Sequence, residues 1–196
     1  YGKEILVVAI DNSDLLRMPE LFPDLTAYGP VSELAKVEQE QYLVGAHLDD
    51  LANFMRKTVH PMILEKYNVD GSKVGICGSS MGGLAGLYCA LRDLGAYQYV
   101  ISYSPAYGLY EESAWYGWLK TLALGEKKAL QPKLHIFCGG ADPLEKELEK
   151  TARRMKAILT DCGYESGKIY ETYDPAKKHN EESWRLILPE SFTRLF

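Results

Sequence analysis

The sequence predicts an α/β fold with a mostly parallel sheet and helices on both faces. Two observations carry this. Short apolar segments alternate with longer helical ones along the whole chain, the pattern of strand–helix units whose strands pair in parallel through right-handed crossovers. The first of those segments, Glu4-Ile5-Leu6-Val7-Val8-Ala9-Ile10, is nearly continuous in apolar residues, as a strand buried on both faces of a parallel sheet would be. The 196 residues suffice for one domain with a full core. No internal repeat, low-complexity tract or linker divides them, so residues 1–196 are expected to form one domain.

Each element has its own signal. Asp11-Asn12-Ser13 ends the first strand. From Asp14 to Ser32, Pro19, Pro23, Gly29 and Pro30 break up any regular element. A loop this long, leaving the carboxyl end of a strand, is placed where ligands bind in open sheets; Arg17 and Glu20 are candidates for substrate contact or for a surface ion pair. Residues 42–67 read as helix, with Leu48, Leu51, Phe54 and Met55 at helical spacing and Pro61 as a kink or interruption. Asn68 to Ser72 is a polar turn. Lys73-Val74-Gly75-Ile76-Cys77 is a buried strand and Leu84 to Leu91 a helix. Tyr97 to Tyr103 is the next strand, stopped by Ser104-Pro105-Ala106. Tyr103, Tyr107, Tyr110, Trp115, Tyr116 and Trp118 then form an aromatic cluster, which either walls an acyl or aryl pocket or packs a short helix onto the sheet. Lys133 to Cys138 is a strand, Leu144 to Cys162 a charged helix, Lys168 to Tyr173 the last strand. A final helix begins near Glu181 and is interrupted near Pro189.

Composition narrows the function classes. The chain is 46% hydrophobic and 25% charged, ordinary for a globular protein. Its net charge of −5, with no basic run, argues against nucleic acid as a partner. No apolar run reaches the roughly 18 residues that a membrane span needs. No signal peptide is visible in a chain that begins at Tyr1. Cys77, Cys89, Cys138 and Cys162 show no C-x-x-C spacing. They read as buried thiols of a protein in the reducing cytoplasm, with neither metal nor cofactor expected.

The chemistry centres on Gly78-Ser79-Ser80-Met81-Gly82. G-x-S-x-G between a strand and a helix is a nucleophile elbow. The turn is sharp, so Gly78 and Gly82 give the backbone room, and the helix that follows aims its N-terminal amides at developing negative charge. The same pattern also fits a Gly-rich turn whose Ser merely caps the helix. A base and an acid elsewhere would decide between them. Ser80, Asp142 and His179 occur in the chain order of the α/β-hydrolase arrangement, each where a strand's carboxyl end meets a loop. His179 would take the Ser80 proton, and Asp142 would orient the imidazole. Glu145 is the alternative acid. Asp142 is favoured because it sits beside the Gly139-Gly140 turn. The Met81 backbone N–H is expected as one oxyanion donor. The second would come from the Asp11–Ser13 turn, or from strands and a loop missing from an N-terminally shortened chain; the latter is favoured.

These motifs resemble the esterase D-type, or enterochelin-esterase-like, branch of the α/β-hydrolases. The resemblance rests on Gly78 to Leu84, on Ser104-Pro105-Ala106, and on His179-Asn180-Glu181-Glu182-Ser183-Trp184-Arg185 running to Leu188-Pro189 and Leu195-Phe196. Val7 to Asn12, with Arg17 and Glu20 following, adds to it. It implies a carboxylic-ester hydrolase with Ser80, Asp142 and His179 as its triad, a role the family often gives to Glu at the acid position. An acyltransferase on the same triad, or a non-catalytic binding module, is the competing reading. Arg17, Tyr107 and Trp115 are the candidates for substrate contact, and the substrate is expected to be a small-molecule ester. A shortened sheet would expose an edge strand, so a homodimer covering it is expected.

Overall fold

The computed structural model describes residues 4–12, 16–33, 35 and 46–195. Its centre is a four-stranded, wholly parallel sheet in the order β1 (Gly75–Ser79), β2 (Tyr99–Tyr103), β3 (Lys133–Gly139) and β4 (Ile169–Asp174). Each strand lies beside the next one in the sequence, in a register pairing Cys77 with Ile101, Ile101 with His135 and His135 with Tyr170. All four carboxyl ends therefore open on one edge, the edge at which parallel sheets bind ligands.

Among the described residues, the α-helices whose bounds are fixed are α1 (Arg17–Glu20), α2 (Leu48–Phe54), α3 (His60–Lys66), α4 (Met81–Arg92), α5 (Glu112–Thr121), α6 (Pro143–Asp161) and α7 (Glu181–Leu195). Alternation along the strands sends side chains to two different cores. Val100, Leu134, Ile136, Cys138 and Ile169 join the larger core with α4, α5 and α6. Ile101, Tyr103 and Phe137 join a smaller one with Trp184, Ile187 and Leu195 of α7. Helices thus cover both faces.

Two proline expectations resolve differently. α2 runs into α3 through a π turn, Met55–Val59, just before Pro61. Pro61 lacks a donor, and the wider turn lets the chain pass it without breaking. Pro189 lies inside an unbroken α7. Of the stretch expected to be irregular, Asp14 to Ser32, residues 16–32 are described and are less irregular than expected. It contains α1, and Phe22, Leu25 and Val31 are buried in the main core.

The expected first strand is absent. Glu4–Ile10 has no regular structure, and Ile5, Leu6, Val7, Val8 and Ile10 are exposed, Val7 at 79%. An apolar run encodes strand propensity, but a strand forms only against a hydrogen-bonding neighbour. Among the described residues, β1 stands at the sheet's edge and pairs with β2 alone.

His135 lies in β3 beneath α7, fully buried. Its Nδ1 is 2.8 Å from Ser191 Oγ and its Nε2 3.0 Å from Thr172 Oγ1. The Thr172 hydroxyl donates to Glu190 Oε1 at 2.8 Å, which leaves Nε2 as the donor to Thr172. Burial lowers the imidazole pKa from 6.5 to about 4, despite the opposing pull of Glu190. The unfolded chain therefore takes up this proton first as pH falls. The contribution is complete above pH 6.5 and is lost between 6.5 and about 4, to a total on the order of 3 kcal/mol. Urea midpoints measured from pH 7.5 to 4.5 should fall accordingly, and His135→Gln should flatten that part of the profile.

Candidate active site

β1 ends at Ser79, and the chain turns at Ser80 into α4. Ser80 takes φ 55° and ψ −121°, a region that residues with a Cβ enter only when their surroundings impose it. What imposes it is the segment after β2. The Ser80 N–H donates to the Tyr103 carbonyl at 2.8 Å, and the Ala106 N–H donates to the Ser80 carbonyl at 3.2 Å. Although Ser80 stands at the N-cap of α4, its side chain makes no capping hydrogen bond. That removes the helix-capping reading of the motif. Met81, as the first residue of α4, has a backbone N–H with no acceptor inside the helix, as the oxyanion reading requires.

The elbow's two glycines are not equivalent. A Cβ on Gly78 would collide with the backbone of Gly82, whereas a Cβ on Gly82 would meet open space. The sharp turn therefore demands glycine at 78 and not at 82.

The second half of the site is built where the loops after β3 and β4 meet. The Gly140 and Ala141 N–H groups both donate to the Lys177 carbonyl, at 3.1 and 3.0 Å. Gly139 permits this approach, since a Cβ there would overlap the Lys177 carbonyl. The clamp places His179 with its side chain 20% exposed, reachable from solvent. His179 Nδ1 is 2.7 Å from Glu145 Oε1. Glu145 is wholly buried, and its other oxygen accepts the Gly139 N–H at 2.6 Å. A carboxylate only accepts, so Nδ1 carries the hydrogen and Nε2 keeps its lone pair.

The carboxylate beside the imidazole is where the structure departs from the sequence-based expectation. The carboxylate on the imidazole belongs to Glu145, not Asp142. Asp142 caps α6 instead: its Oδ1 accepts the Glu145 N–H at 2.9 Å and its Oδ2 accepts the His179 backbone N–H at 3.1 Å. These two donors hold its carboxyl below the usual range. Asp142 thus fixes the backbone of His179, while Glu145, three residues on and turned inward, meets the ring. Asp142-Pro143-Leu144-Glu145 carried that signal, because Asp before Pro marks an N-cap and commits the Asp oxygen to the helix.

Two of the three residues expected to touch substrate are corrected as well. Tyr107 and Trp115 are each 1% exposed. Tyr107 Oη bonds Ser102 Oγ at 2.8 Å, and Trp115 Nε1 donates to the Tyr107 carbonyl at 2.9 Å. The aromatic cluster is core apart from the half-exposed Tyr116, and it also fastens down the segment after α1. Tyr110 stacks on Phe22 at 5.1 Å, and its hydroxyl donates to the Pro23 carbonyl at 2.8 Å. Arg17 is half-buried in α1 with Nη1 against Met18 Sδ at 4.0 Å. Among the described residues, no hydrogen bond or ion pair joins it to Ser80, His179 or Glu145. Of the Asp11–Ser13 turn, considered for the second oxyanion donor, Ser13 lies outside the described residues. Among the described residues, no group of His, Cys, Asp or Glu is placed to hold a metal ion, and no helix is long and apolar enough to cross a membrane.

The family model described as Putative esterase matches residues 16–195, nearly the whole chain. The chain belongs to this esterase family. Solved structures of similar fold include esterases. The enterobactin esterase of Shigella flexneri, crystallised with 2,3-di-hydroxy-N-benzoyl-glycine, is 20% identical with a TM-score of 0.55, over 76% of this chain and 39% of that one. The ferric enterobactin esterase of Salmonella typhimurium is 18% identical with a TM-score of 0.56, over 76% of this chain and 36% of that one. A ferulic acid esterase is 19% identical with a TM-score of 0.54, over 74% and 60%. At these identities the likeness is one of fold, the α/β-hydrolase fold, and this esterase-family chain spans about two fifths of the enterobactin esterases. No curated protein sequence matches it.

Proposed function

We propose that the chain is a serine esterase that cleaves small-molecule carboxylic esters through an acyl-enzyme on Ser80, with His179 as base and Glu145 as the residue that orients it. The observation that carries this reading is the 2.7 Å bond between His179 Nδ1 and a fully buried Glu145. It fixes the imidazole tautomer that can accept a proton, at the same sheet edge as a strained serine that caps nothing.

The steps follow from the roles. Ser80 Oγ attacks the ester carbonyl carbon while its proton passes to His179 Nε2, and Glu145 stabilises the imidazolium. The tetrahedral oxyanion meets the Met81 N–H. Collapse expels the alcohol, which takes the proton from Nε2 and leaves Ser80 acylated. Water then gives a proton to Nε2 and attacks the acyl carbon; collapse expels Ser80 Oγ, which takes that proton from Nε2, and the carboxylic acid leaves.

The test is a fluorophosphonate probe together with a p-nitrophenyl acetate assay on one preparation. Stoichiometric labelling of Ser80, with turnover lost as labelling proceeds, is the expected result. A chain that turns over ester while Ser80 stays unlabelled has another nucleophile. A chain that does neither is a binding module.

A further inference from the structure

Given the serine-esterase reading, the Glu145 bond cannot by itself aim the imidazole. A single hydrogen bond at Nδ1 leaves the ring free to rotate about that bond's axis, and rotation moves Nε2. The second constraint comes from α7. Trp184 meets the His179 ring edge-to-face, with centroids 5.1 Å apart and planes at 87°. Trp184 is 9% exposed, and its own orientation is fixed because Nε1 donates to Ser104 Oγ at 2.9 Å.

Ser104 is not an ordinary anchor. It is fully buried and holds φ 43°, a strained value for a residue with a Cβ. Its N–H donates to the Phe137 carbonyl at 2.6 Å. It also lies within Tyr103–Ala106, the segment whose ends grip both backbone groups of Ser80. The turn that sets the serine's backbone therefore also holds, through one hydroxyl, the indole that flanks the histidine.

We infer that Trp184 is a positioning residue, and that the Trp184–Ser104 hydrogen bond ties the rotation of the His179 ring to the clamp on Ser80. The tie keeps base and nucleophile in register although they come from opposite ends of the sheet. Neither Trp184 nor Ser104 need touch the substrate.

The test compares Trp184→Phe, which keeps a ring but loses the N–H, Ser104→Ala, which loses the acceptor, and the double variant. Each single variant should lower kcat for p-nitrophenyl acetate by about 10- to 100-fold, the range expected when reacting groups are misplaced by a fraction of an ångström to an ångström. KM should stay within about twofold. The double variant should be no slower than the slower single one, because both changes delete the same tie. Independently of turnover, the low-field proton resonance of His179 Nδ1–H should be sharp in the parent chain and broadened in Ser104→Ala and Trp184→Phe. Folded variants with unchanged kcat and an unchanged resonance overturn the inference, as do losses that multiply in the double variant or fall on KM alone. A parent chain without turnover or Ser80 labelling sinks the esterase reading instead, and the resonance still decides whether the tie positions the ring.

Discussion

Ser80→Ala should lower p-nitrophenyl acetate hydrolysis by about 10⁴-fold or more, to the residual rate that binding and the oxyanion amide support without a nucleophile. The fold should not notice the change. The Ser80 side chain caps nothing, so the loss of roughly 1 kcal/mol that follows removal of a capping hydroxyl is not expected. Alanine also keeps the Cβ, and with it the strain at φ 55°. Ser80→Gly should be equally inactive but more stable than Ser80→Ala, by about 1 kcal/mol or more, because glycine enters this backbone region freely. Thermal unfolding of the parent and both variants separates the two effects. A marked drop in stability for Ser80→Ala would return the residue to a structural role.

Glu145→Gln should cost about 10³- to 10⁴-fold in kcat while Asp142→Asn costs only a few-fold. The carboxamide is nearly isosteric, but it has one acceptor oxygen where the carboxylate has two. Glu145 uses both oxygens, one on the Gly139 N–H and one on His179 Nδ1. If the amide oxygen keeps the Gly139 N–H, its NH₂ faces the imidazole and donates to Nδ1. The hydrogen is then forced onto Nε2, which can no longer take a proton from Ser80; a wrong tautomer of this kind costs about 10⁴-fold in serine hydrolases. Asp142→Asn leaves an oxygen for the Glu145 N–H and disturbs only the backbone bond to His179. Steady-state kinetics on the two variants decide which carboxylate is the acid. Equal losses would mean that the two act together, and a larger loss for Asp142→Asn would reverse the assignment.

These residues show where sequence reading stops. The four strands and the helices α4, α6 and α7 were legible because the apolar periods and turn residues are local signals. Ser80 and His179 stand out in the sequence because the roles proposed for them fix a chain order. The choice between Asp142 and Glu145 depended on which oxygen the N-cap of α6 had already claimed, and favouring the residue nearest the glycines overlooked that. Tyr107 and Trp115 could not be placed from sequence, since a pocket wall and a core are built from the same apolar residue types. Glu4–Ile10 has the composition of a central strand, but composition says nothing about whether a neighbour is there to pair with it. Ser104 and Trp184 stand out in the sequence only as parts of a motif, because a single hydroxyl bonding an indole eighty residues away leaves no periodic trace.

The spatial order of the strands is also their order of synthesis. Each β–α unit docks against the unit made just before it, so a growing chain can complete the sheet by accretion at one edge without waiting for distant segments. The two halves of the site then mature at different times. Once β2 and the Tyr103–Ala106 segment are in place, Ser80 has both of its backbone clamps, while His179 is still some seventy residues from the growing end. On the esterase reading, a nascent chain of that length would carry a bent serine without its base. On the same reading, reactivity would arrive only when the loop after β4 closes on Gly140 and Ala141 and α7 brings Trp184 over the ring, so a helix made late would arm a turn formed early.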